Sequence, residues 1–190
     1  MNEQVWWHLT RASANVSWVL IVLSILWGVL LATRVLKPND RPAWLRDIHT
    51  WMGGLSVVFA GIHMVTLILD TYVTFTIADV LVPFASSWKP LPVAIGILAF
   101  WMLVAVQATS LMIKKMSRVA WRRVHMLSYL VFATSVVHAL SAGSDIGTRL
   151  FTGFSMAVAM VGTAISCLRW VAGRYAVRRS AERATAESVG

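Results

Sequence analysis

Charge is scarce in this chain. Only 13% of its 190 residues are Asp, Glu, Lys or Arg, and 58% are hydrophobic, against roughly 25% charged in ordinary soluble domains. That balance excludes a water-soluble globule and fits a protein whose main solvent is lipid. Cysteine is nearly absent: the single Cys167 lies in an apolar run. A disulfide framework, a thiolate zinc site and an iron–sulfur cluster built by this chain alone are therefore excluded. Cys167 reads as a small buried apolar side chain. Acidic residues number eight and stay outside the four central apolar runs, which argues against a carboxylate proton relay in the membrane. No dinucleotide fingerprint occurs. The net charge of +9 comes from residues between apolar runs, not from a basic face with interleaved aromatics, so nucleic-acid binding is excluded.

What the chain does have is long apolar runs. A hydrocarbon core of about 30 Å needs about 20 helical residues, and five uncharged stretches qualify: Ala12–Thr33, Ile48–Leu69, Pro90–Ile113, Val124–Ser144 and Leu150–Leu168. Lipid satisfies no backbone hydrogen bond, and continuous runs without strand alternation imply helices. A sixth stretch, Thr71–Trp88, is interrupted by Asp79 and Pro83 and reads as an interfacial connection with one short helix. The expected fold is an all-α, five-helix membrane bundle over residues 1–172, with a basic tail over 173–190. No cleavable leader is expected, because the slightly acidic N-terminus precedes a run long enough to span.

Basic residues orient the bundle. Arg34, Lys37, Arg41 and Arg46, then Lys114, Lys115, Arg118, Arg122 and Arg123, then Arg169, Arg174, Arg178, Arg179 and Arg183 all fall on one side. Only Arg11, Lys89 and Arg149 fall on the other. The positive side is cytoplasmic, so the N-terminus is expected outside and the C-terminus in the cytoplasm.

Four of the five histidines lie inside expected spans, His49 and His63 in the second, His125 and His138 in the fourth. An intramembrane imidazole is costly without a partner and marks a functional site. The two spans run parallel. His49 follows Asp47, and His125 follows Arg123, by two residues at the cytoplasmic end; His63 and His138 precede Asp70 and Asp145 by seven in the outer half. The four residues thus form two rungs at matched depths, about 20 Å apart at 1.5 Å per residue. Imidazoles on facing helices suit the two axial positions of a haem iron. Zinc wants three or four convergent ligands, which separated pairs do not supply. Fourteen residues return His49 and His63 to within about 40° of one face, whereas thirteen leave His125 and His138 well apart. The fourth helix must therefore bend, change its winding, or present its ligands at different angles.

These residues resemble the ferric reductase-like transmembrane domain, shared by ferric reductases, NADPH oxidases and the haem-binding subunit of the bacterial methionine sulfoxide reductase system. The likeness rests on the fourteen- and thirteen-residue histidine spacings, on Leu81-Val82-Pro83-Phe84 and Ser87-Trp88-Lys89-Pro90, and on Trp121-Arg122-Arg123-Val124-His125-Met126-Leu127-Ser128-Tyr129. It covers nearly all of residues 14–172. It implies two b-type haems, His49/His125 holding the cytoplasmic-side one and His63/His138 the outer one, with Phe132 between them. It also implies a multi-pass protein of a bacterial plasma membrane, passing electrons to an extracytoplasmic acceptor such as ferric iron, oxygen or the cofactor of a partner. Larger members carry a flavin and NADPH module that has no counterpart here, so a separate flavoprotein, a quinone or another subunit is the expected donor. Any flavin would come with a partner. The alternatives are a haem-binding anchor or assembly subunit that does not turn over, and a small transporter or channel, for which mid-depth polar residues are few.

Haem propionates favour Arg. Arg46, Arg122 and Arg123 stand at the level of the inner haem, and Arg11 or Arg149 at that of the outer one, although flanking basic residues also anchor helices to headgroups. Gly53, Gly54 and Gly61 would let a porphyrin lie against the second span, and helix packing explains them equally well. Trp6, Trp7, Trp44, Trp51, Trp88, Trp121 and Trp170 read as an interfacial belt. His8 reads as an exposed residue, and the basic tail as a solvated helix end or a partner's docking surface.

Overall fold

The computed structural model describes residues 3–33 and 42–143, and individually 153, 156–157, 160–164, 167–168 and 171. Among them the chain is helical without strands. The long elements are α1 (Glu3–Thr33), α2 (Pro42–Leu69), α4 (Pro90–Leu111) and the pair α5 (Arg118–His125) and α6 (Leu127–Ala142). Among the described residues, four segments are long and apolar enough to cross a membrane: Gln4–Ala32, Ala43–Leu69, Pro90–Leu111 and Arg118–Ala142. Gln4–Ala32, Ala43–Leu69 and Arg118–Ala142 begin earlier than the uncharged runs, because helical hydrogen bonding continues through the charged flanks, and all but Ala43–Leu69 end one or two residues before them. The fifth expected span is described only at scattered positions, and the tail over 173–190 lies wholly outside the described residues.

Cross-helix hydrogen bonds fix the directions. Thr10 lies at the level of His63, Ser17 at that of Ser56 and Ser24 at that of His49, so α1 and α2 run antiparallel. Pro92 meets His138, Ser110 meets His125, and the Lys89 ammonium donates to the Ser141 carbonyl at 3.1 Å. Hence α4 is antiparallel to α5 and α6. Hydroxyls inside the spans return to their own helix, as in Thr66 to Ile62 (2.9 Å) and Thr109 to Ala105 (2.7 Å), which satisfies them without water. The Ser17 hydroxyl instead crosses to the Ser56 carbonyl at 2.9 Å.

The core joins Ile21, Val22 and Ile25 of α1 to Leu103 of α4 and Val131 and Phe132 of α6. Large apolar side chains also point outward on every long helix, and Val58 and Val65 on α2 are 54% and 55% exposed. Such a continuous apolar exterior is rare on a water-soluble surface. Cys167 is exposed, which corrects the expectation of a buried thiol. Its neighbour Leu168 is exposed too, so an apolar run alone does not say which face turns to the bundle.

The stretch between α2 and α4 contains one short helix, α3 (Ile77–Leu81). A reciprocal cap starts it: the Asp79 N–H donates to the Thr76 hydroxyl, and the Thr76 N–H to the Asp79 carboxylate at 2.8 Å. The Trp101 indole donates to the Leu81 carbonyl at 3.0 Å and ties α3 to α4.

Between α5 and α6 the winding breaks at Met126. Its N–H closes an ordinary turn on Arg122 at 3.1 Å, while Tyr129 reaches back only three residues to the Met126 carbonyl at 3.3 Å. That tightened turn separates His125 from His138. The two segments take independent azimuths, which is how a thirteen-residue spacing presents both imidazoles to α2.

Candidate functional site

Four imidazoles from two parallel segments meet in pairs. The His49 and His125 ring centres lie 5.9 Å apart with planes at 68°. Those of His63 and His138 lie 6.5 Å apart with planes at 76°. Among the described residues no third His, Cys, Asp or Glu joins either pair to form a metal cluster.

Each ring is held by its Nδ1. His49 donates to the Ser24 carbonyl at 2.9 Å, with the Ser24 hydroxyl at 3.2 Å. His63 donates to the Thr10 carbonyl at 3.0 Å, and His138 to the Pro92 carbonyl at 2.8 Å. A carbonyl only accepts, so Nδ1 carries the proton and Nε2 keeps its lone pair. His125 has the Ser110 hydroxyl at 3.3 Å. That hydroxyl spends its own proton on the Val106 carbonyl at 2.7 Å, so it too accepts. Fixing Nδ1 in this way is the usual device that orients a metal-ligating imidazole.

The separations allow a size test. A metal–imidazole bond of about 2 Å on each side, with the ring centre about 1.1 Å beyond the nitrogen, sets coaxial imidazole centres a little over 6 Å apart. The observed 5.9 and 6.5 Å bracket that distance. Two imidazoles in direct hydrogen bond would stand closer, and simple packing would not require all four Nδ1 atoms to be engaged. The ring separations and the Nδ1 contacts would fit one haem held between each histidine pair.

Glycines make room for the rings. A Cβ on Gly28 of α1 would stand 3.3 Å from His49 Cε1, and one on Gly96 of α4 only 2.5 Å from His138 Nδ1. Gly53 and Gly54 of α2 face Gln107 of α4 instead, and Gly61 has open space on its Cβ side. Beside His63 and His138 lies a cavity of about 290 Å³, whose lining includes Trp7, Thr10, Arg11, Leu103 and Val131. The Thr10 hydroxyl there is buried with no hydrogen-bond partner among the described residues, as are the indole N–H groups of Trp27 and Trp121.

The remaining expected residues divide. Arg11 lines the outer cavity, its guanidinium 5.7 Å from the Trp7 ring centre. Arg46, Arg122 and Arg123 are exposed at the other end of the bundle, and Arg149 lies outside the described residues. Phe132 is buried in the core, and a Cβ on Gly162 would strike its ring. His8 is exposed. Sequence reasoning missed Gly28, Gly96 and the four Nδ1 acceptors, which no local motif marks. It also treated Trp121 only as an interfacial residue, whereas its ring stacks on His125 at 4.9 Å and 24°. The four-residue spacing on one helix face was the available signal.

A family model described as Domain of unknown function (DUF8596) matches residues 5–145. No curated protein and no solved structure matches the chain.

Proposed function

Because the chain belongs to the DUF8596 family, whose description names no activity, we propose its function from the histidine rungs: transmembrane electron transfer through two bis-histidine b-type haems. His49 and His125 hold the inner one, His63 and His138 the outer one. The observation that carries the reading is the pair of ring separations, 5.9 and 6.5 Å, combined with Nδ1 anchoring that leaves Nε2 free on all four rings. Haem, when bound, would supply one-electron redox chemistry. The Nε2 atoms of His49, His63, His125 and His138 would hold the iron, while the chain fixes their tautomer and keeps an apolar core between the rungs.

The resemblance to the ferric reductase-like transmembrane domain supports the same reading. It extends to a five-span bundle with the N-terminus outside and the C-terminus cytoplasmic, in a bacterial plasma membrane. Electrons enter from a separate flavoprotein or a membrane quinone and leave to an extracytoplasmic acceptor. Arg46, Arg122 and Arg123 attract the inner propionates and Arg11 the outer ones, through charge-assisted hydrogen bonds. Phe132 fills the space between the rungs.

Haem content and the reduced-minus-oxidised spectrum of detergent-purified protein test the proposal. Two low-spin b-type haems per chain are expected, with one lost in His63→Ala and the other in His125→Ala. Well-folded protein without haem, expressed under ample haem supply, overturns it.

A further inference from the structure

The two rungs are anchored unequally. Three of the four Nδ1 groups donate to main-chain carbonyls at 2.8–3.0 Å. His125 alone relies on a side-chain hydroxyl, Ser110 Oγ, at the longer distance of 3.3 Å. A main-chain acceptor persists whatever the side chain, whereas this one disappears when a single side chain is changed. His125 is also the last residue of α5, beside the break at Met126.

We propose that Ser110 is a positioning residue that sets how readily the inner haem takes up its electron, acting through the Nδ1–H of His125. This rests on the haem reading above and adds the residue that regulates it. An imidazole that donates a hydrogen bond becomes a more basic ligand, and a more electron-rich axial ligand favours ferric over ferrous iron. The bond to Ser110 therefore holds the inner potential down. Two features make Ser110 suited to that role. Its donation to the Val106 carbonyl at 2.7 Å prevents hydroxyl rotation and keeps a lone pair aimed at His125. The Trp121 ring, stacked on the imidazole at 4.9 Å, holds the ring in place independently, so loss of the hydroxyl removes the hydrogen bond and leaves the ligand where it is.

Ser24 provides the internal comparison. Its hydroxyl lies 3.2 Å from His49 Nδ1, yet its carbonyl at 2.9 Å remains when the side chain is shortened. The test is a spectroscopic redox titration in the His63→Ala background, which retains only the inner haem. Adding Ser110→Ala is expected to raise the midpoint potential, adding Ser110→Thr to return it, and adding Ser24→Ala to leave it in place. In the chain with both haems, Ser110→Ala should move one of two waves and not the other. The proposal is overturned by an unmoved midpoint in Ser110→Ala, by an equal rise in Ser24→Ala, or by loss of the inner haem that Ser110→Thr fails to restore. Absence of haem from the wild-type chain overturns the haem reading itself, and this proposal with it.

Discussion

Replacing Gly96 by Ala puts a single methyl group against the outer rung. The new Cβ would stand 2.5 Å from His138 Nδ1, 2.6 Å from Cε1 and 3.0 Å from Cγ. Non-bonded carbon atoms settle at about 3.5 Å or more, so the ring must retreat by about 1 Å. The donor–acceptor distance to the Pro92 carbonyl, 2.8 Å now, would then approach about 3.8 Å, too long for a hydrogen bond. Retreat from α4 also carries the ring toward His63, whose centre is 6.5 Å away, and leaves too little room for an iron with about 2 Å to each nitrogen. The expected result is loss of the outer haem alone, read as one haem per chain by haemochrome assay with a single remaining redox wave. Gly28→Ala is the graded control. Its Cβ would lie 3.3 Å from His49 Cε1, a few tenths of an ångström inside ordinary contact, so both haems should stay. A Gly96→Ala protein with two haems and unshifted waves would refute the reasoning.

The imidazole planes of the two rungs stand near-perpendicular, at 68° and 76°, so on the haem reading the two rings of each pair would bond with different iron d-orbitals and act on them almost equally. Both ferric haems should give strongly anisotropic low-spin EPR signals with a large maximal g value; ordinary rhombic three-line spectra would show that the planes are aligned. Phe132→Ala should lower stability by about 3 kcal/mol, as for other buried Phe truncations, since the side chain is 5% exposed. A thermal melt unchanged from wild type would count against its place in the core. The Thr76 hydroxyl and N–H hold the Asp79 carboxyl below its ordinary value of 3.8. The cap's contribution is therefore full above that value and fades as pH falls through the lower folded value. Protection of the 76–81 amides in hydrogen exchange, corrected for intrinsic rates, should weaken there, and Asp79→Ala should abolish the dependence.

Helix type, the apolar runs and which histidines share a level were legible in the sequence, because each depends on local composition and on counting along one chain. Apolar runs must be helical in lipid, and distance from the flanking charges gives each histidine's level along its helix. The connection before α4 could be read as non-spanning for the same reason: Asp79 and Pro83 interrupt it. Only the tertiary structure decided what depends on rotation about a helix axis and on contacts between helices. The break at Met126 is one case. No proline or glycine marks it, and without it thirteen residues point His125 and His138 to different faces. The acceptors are another. Thr10, Ser24 and Pro92 serve through main-chain carbonyls, which carry no residue signature. Ser110 resembles any other hydroxyl on an apolar helix until α5 lies beside it. Gly28 and Gly96 are ordinary packing glycines in sequence and become ring-admitting positions only because α1 crosses α2 and α4 crosses α6 at those levels. Composition and periodicity record what a residue does for its own helix. What it does for a neighbouring helix is fixed by packing.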